Sequence, residues 1–150
     1  KGISYVGGDI VGPLIDNLQQ KFSSETITFV HLDITQNQFP RSDLVLTRDC
    51  LFHLSYFDIR ATLENFIVSR SKYFLTTSHI NNDNFKNADI RSGGFRLIDL
   101  FSSPFSFPKN FHFEISESGE GSLPPRKLYM WDREQVQVAK GNLERFLSGL

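Results

Sequence analysis

The 150 residues carry a net charge of −1, a charged fraction of 22% and a single cysteine, with no apolar run longer than a few residues. That balance excludes a nonspecific nucleic-acid binder, which needs a basic field, and a membrane-spanning chain, which needs about 20 consecutive apolar residues. The length suits one domain over residues 1–150; Cys50 alone cannot form an internal disulfide, and no Asn-x-Ser/Thr site occurs, which points to the cytoplasm.

Ser4-Tyr-Val-Gly-Gly reads as a short strand ending at Asp9. From Ile10 to Phe22, the apolar residues Val11, Leu14, Ile15, Leu18 and Phe22 line one helical face, with Pro13 in the first turn. Ile27–Leu32 is β-rich and stops at Asp33, and Asp43–Arg48 is a third strand. Ser55-x-x-Asp58 opens a helix burying Ile59, Leu63, Phe66 and Ile67, after which Tyr73–His79 is a fourth strand. This alternation predicts an α/β fold with a mostly parallel sheet and flanking helices.

Residues 80–110 break the pattern. They are rich in Asn, Asp, Gly, Ser and Pro with interleaved phenylalanines, and are expected to form a folded lid that sets specificity. Phe111–Ser116 and Lys127–Trp131 read as an antiparallel pair joined by the turn Glu117–Arg126, and a short helix is expected within Asn142–Leu150.

In an open parallel sheet, ligands sit beyond the carboxyl ends of the strands. Asp9, Asp33, Arg48-Asp49, His53 and His79 fall there. Asp9 can accept from both hydroxyls of a ribose, or simply complement the dipole of the following helix. Asp33 with Ile34 can meet an adenine, or form a turn. His53 is a base candidate by position and otherwise a structural histidine. Gly7-Gly-x-x-x-Gly12 departs from the dinucleotide fingerprint and reads as a helix start. The four histidines lack metal-ligand spacing, so no metal is expected.

The order strand–Asp9, strand–Asp33-Ile34, Asp43-Leu-Val-Leu-Thr-Arg48-Asp49 and Leu51-x-His53-Leu54-Ser55 resembles class I S-adenosylmethionine-dependent methyltransferases. The resemblance covers about residues 3–132 and implies a Rossmann-like sheet closed by an antiparallel strand pair. It implies methyl transfer to a small-molecule or carbohydrate-like acceptor, with S-adenosylmethionine as cofactor. Asp9 with Ile10 would hold the donor's ribose, Asp33 and Ile34 its adenine, and Arg48, Asp49 and Leu51 its methionine end. His53 or His79 would serve as base, and Arg96 would meet an anionic or sugar group. It further implies a strand and Gly-rich loop N-terminal to Lys1, placed between the strands ending at Asp9 and Arg48.

Two other functions remain open at this point. One is a binding or interaction domain that kept the fold without the donor site. The other is a nicotinamide-dependent oxidoreductase, which could use Asp9 equally well but finds no Tyr-x-x-x-Lys pair here.

Overall fold

Two hydrogen-bonded sheets organise the chain, whose computed structural model describes residues 2–81, 84–116 and 124–149. In the first sheet, β1 (Tyr5–Asp9) runs parallel to β2 (Ile27–His31), connected by α1 (Gly12–Phe22). The paired glycines of β1 answer a packing need, not a phosphate. A Cβ at Gly7 would stand 2.8 Å from the Phe29 ring, and one at Gly8 2.9 Å from Leu32.

The second sheet has four strands. β3 (Leu44–Thr47) and β4 (Tyr73–His79) are parallel, joined through the 3-10 turn Leu51–His53 and α2 (Tyr56–Val68). The edge strand β5 (Phe113–Ser116) pairs antiparallel with β6 (Arg126–Asp132), which pairs antiparallel with β4. The order is therefore β3-β4-β6-β5, with the parallel strands first and the antiparallel pair last, as the sequence predicts.

Local chemistry sets the helix boundaries. Ser55 caps α2 by accepting from the Asp58 N–H, so the expected capping residue performs as read. A final helix, α3 (Arg133–Ser148), is sixteen residues long, not the short tail expected from Asn142. It begins at a full capping box, in which Asp132 accepts from the Gln135 N–H and the Gln135 side chain returns to the Asp132 N–H. The charged run Arg133–Lys140 masked this start, because only Val136 and Ala139 in it are apolar and buried.

One face of the larger sheet holds the core. Phe74 meets Phe66 of α2, and its register partner Trp131 meets Phe107, so α2, α3 and the segment before β5 lie on that side. Ile98, Leu100, Phe105 and Phe107 are at most 2% exposed. The second half of the expected lid is therefore a layer of core, because its aromatics find apolar partners on α2, α3 and β6. The expected turn after β5 lies mostly outside the described residues.

The two sheets share no strand pairing. The Tyr5 N–H to Thr26 carbonyl bond and the Leu32 N–H to Asp9 carbonyl bond turn odd residues of β1 toward β2. Val6 and Gly8 therefore present their backbone groups to the open side. By the same alternation, the Tyr73 N–H to Asp43 carbonyl bond leaves Leu44 and Leu46 facing the open edge of β3. The units are linked instead through residues 32–39. Phe39 is in the core, Leu32 and Ile34 pack against it, and Asn65 Nδ2 donates to the Ile34 carbonyl at 2.9 Å. Among the described residues, no helix is long and apolar enough to cross a membrane.

Candidate functional site

The carboxyl ends of β1, β3 and β4 gather most of the expected residues. Cys50, just past β3, has its thiol pKa pushed up first by burial and then by the charge of Asp9. That coupling brings the end of β1 close to the end of β3, although no backbone bond joins them.

Asp9 does two things at once. Its Oδ1 accepts from the Val11 N–H at 2.8 Å, which shapes the start of α1. Its Oδ2 makes no hydrogen bond among the described residues, leaving one acceptor oxygen for a ligand. Ile10 beside it is 63% exposed. Asp33 is different. Oδ1 takes both the N–H and the hydroxyl of Thr35, and Oδ2 takes the Gln36 amide at 2.8 Å. These bonds, the Thr35 hydroxyl foremost, hold the Asp33 pKa below the usual carboxylate range against the opposing effect of burial. Asp33 is thus engaged by its own turn, and Ile34 packs toward the core.

Past β3 the backbone is unusual. Asp49 has φ of 51°, a left-handed conformation that Asp tolerates better than most residues. Its N–H donates to Thr77 Oγ1 at 2.9 Å, and its carboxylate accepts from Arg126 Nη2 at 3.1 Å. Arg48 is exposed, whereas Leu51 is 1% exposed and belongs to the hydrophobic core. Thr77 and Arg126 were not foreseen as site residues. Arg126 lies in register with His79 across the β4–β6 ladder, a proximity that only the pairing reveals.

The two histidines are held in opposite tautomers by their partners. His53 Nδ1 lies 2.7 Å from the Gly94 carbonyl, which can only accept, so Nδ1 carries the proton and Nε2 keeps a free lone pair. His79 Nδ1 accepts from the Ile98 N–H at 3.1 Å, so its Nε2 carries the proton. Burial lowers the His79 pKa and keeps the ring neutral. His53 is exposed, whereas His79 is 3% exposed. Phe52 stacks between them, 4.6 Å from His53 and 5.0 Å from His79, with Phe95 closing the cluster.

Arg96 points inward. It is 8% exposed, its Nη1 donates to the Leu54 carbonyl at 2.7 Å, and its guanidinium lies 5.1 Å from the centre of the Tyr56 ring. Burial pushes the Tyr56 hydroxyl up to about 12. Arg96 therefore ties the segment before it to the start of α2, on the inner side of the aromatic cluster.

No protein-family model matches the chain, and no curated protein matches it in sequence. Solved structures do match. The magnesium protoporphyrin IX methyltransferase ChlM from Synechocystis PCC 6803, with bound S-adenosylmethionine, is 14% identical, with a TM-score of 0.62 over 88% of this chain and 60% of its own. Human N-acetylserotonin methyltransferase, in complex with S-adenosylmethionine, is 14% identical, with a TM-score of 0.57 over 85% of this chain and 39% of its own. A pericyclic reaction enzyme is 12% identical, with a TM-score of 0.56 over 87% of this chain and 36% of its own. The chain thus spans 60% or less of the length of each of these three. At such identities what is shared is the fold, the Rossmann-like α/β sheet of class I methyltransferases.

Proposed function

We propose that this chain is the sheet-bearing part of an S-adenosylmethionine-dependent methyltransferase that acts on a small-molecule acceptor. The observation that carries the reading is the free Oδ2 of Asp9 at the carboxyl end of β1, facing the end of β3. That is where an open α/β sheet holds a ribose, and an ionised carboxylate there can accept from its hydroxyls. Similar folds with bound S-adenosylmethionine support the choice of donor. Of the two expected donor-binding acids, Asp9 fits this role as it stands. Asp33 fits it less well, because both its oxygens already have donors.

The bound donor supplies an electrophilic methyl group, and methyl transfer asks the protein mainly for positioning. His53 accepts the acceptor's proton at Nε2 where the acceptor must lose one, since the Gly94 carbonyl holds the proton at Nδ1. His79 keeps its Nε2–H and orients an acceptor oxygen. Phe52 and Phe95 flank both rings. The bond to Gly94 holds the segment that carries Phe95 against His53.

Calorimetric titration of S-adenosylhomocysteine into the polypeptide that carries this sequence tests the reading. Binding that weakens at least about tenfold in Asp9→Ala is expected, about 1.4 kcal/mol for a charge-assisted bond. Binding of NADH in its place, or unchanged affinity in Asp9→Ala, would sink it. A second reading, a binding domain without transfer chemistry, draws on the engaged Asp33. It predicts no affinity for S-adenosylhomocysteine at all.

A further inference from the structure

Past the carboxyl end of β4, a cavity of about 320 Å³ opens beside His79. Its size suits a one-ring ligand. Three aromatic rings wall it. Tyr129 stands 4.8 Å from Phe101 and 4.9 Å from Phe111 in edge-to-face geometry, and Phe101 and Phe111 are 6.0 Å apart. These rings pack against one another, so a planar ligand ring meets the wall they form rather than a gap between them.

The polar side chains of the cavity include a cation and an anion. Lys109 is exposed at the rim and makes no hydrogen bond or ion pair among the described residues. His79 borders the cavity at the end of β4, where strand alternation turns its ring to the face opposite Tyr129. Asp99 also lines the cavity, but its Oδ1 accepts from the Phe101 N–H and its Oδ2 from the Ser102 hydroxyl. Asp99 keeps its negative charge, and the Lys109 ammonium at the rim calls for a ligand that brings an anionic group of its own.

We propose that this cavity binds an aromatic carboxylate, with the ring against the wall formed by Phe101, Phe111 and Tyr129 and the carboxylate on Lys109. Taking this ligand as the methyl acceptor rests on the function proposed above; the binding itself does not. An aliphatic diacid lacks the ring, and a neutral phenol lacks the charge.

Ligand-observed NMR and calorimetry with salicylate, phenol and adipate test this in the wild type, Lys109→Met and Phe111→Leu. Salicylate is expected to bind with a Kd of about 1 mM or tighter, to weaken about tenfold in Lys109→Met, and to outbind adipate. Phenol affinity stays unchanged in Lys109→Met, and Phe111→Leu weakens salicylate and phenol alike. Lys109 is exposed, so its substitution leaves the fold intact. Equal affinity for salicylate and adipate, no salicylate binding, or no loss in Lys109→Met overturns the proposal. Salicylate binding without S-adenosylhomocysteine binding upholds the cavity and removes its role in methyl transfer. The reverse result removes the cavity alone.

Discussion

The β1–α1–β2 unit and the four-stranded unit follow the same strand–helix–strand pattern but differ sharply in how much they bury. In β4, six of seven residues are buried, while in β1, α1 and β2 together only Gly7 and Ile15 are. Two strands and one helix lack the area to hold themselves, and Leu14, Val11 and Phe22 of α1 stay 40% or more exposed. The acid proposed to hold the donor thus sits on the lightly supported unit, while both histidines sit on the rigid one. Local opening of the first unit would loosen the donor side and leave the acceptor side in place.

Substitutions at the two cores test this difference most directly. Phe66→Ala, at a site with no exposure, is expected to cost about 3–5 kcal/mol in denaturant unfolding. Ile15→Ala falls at the low end of the aliphatic range, about 2 kcal/mol, with hydrogen exchange accelerating in β1 and β2 and unchanged in β4. Equal costs, or acceleration spread across both sheets, would erase the distinction. Asp132→Ala removes the capping box of α3 and is expected to cost about 1 kcal/mol, within the larger unit only.

A smaller effect comes from pH. Burial lowers the His79 pKa from 6.5, so the unfolded chain takes up a proton first and the native state loses stability as pH falls below 6.5. Below that point the slope of stability with pH is expected to flatten in His79→Gln. The smallest effect belongs to Lys72→Met. Its ion pair with Asp43 is fully exposed, and the denaturation midpoint is expected not to move.

Much of the strand order was legible because β1 to β4 carry apolar or β-branched runs closed by polar residues at their carboxyl ends. What escaped were features set by distant partners. The tautomers of His53 and His79 depend on Gly94 and Ile98, 41 and 19 residues away, and no local pattern encodes them. Arg96 looked like a surface cation in a polar loop and is instead buried over Tyr56. For α3 a signal existed and was overlooked. Asp132 and Gln135 have capping-box spacing, and Val136, Ala139 and Leu143 share a helical face. The phenylalanines of 101–107 revealed burial but not direction, since an aromatic loop can cover a ligand or fill a core.

The open edges of β1 and β3 also govern how the molecule behaves in company. Val6, Leu44 and Leu46 stand 46%, 44% and 54% exposed beside unpaired backbone groups, and neither strand carries a proline or lysine to block pairing. Such edges template the addition of further strands. A strand lying between them, from this polypeptide or from another copy, is therefore expected to pair with both edges at once.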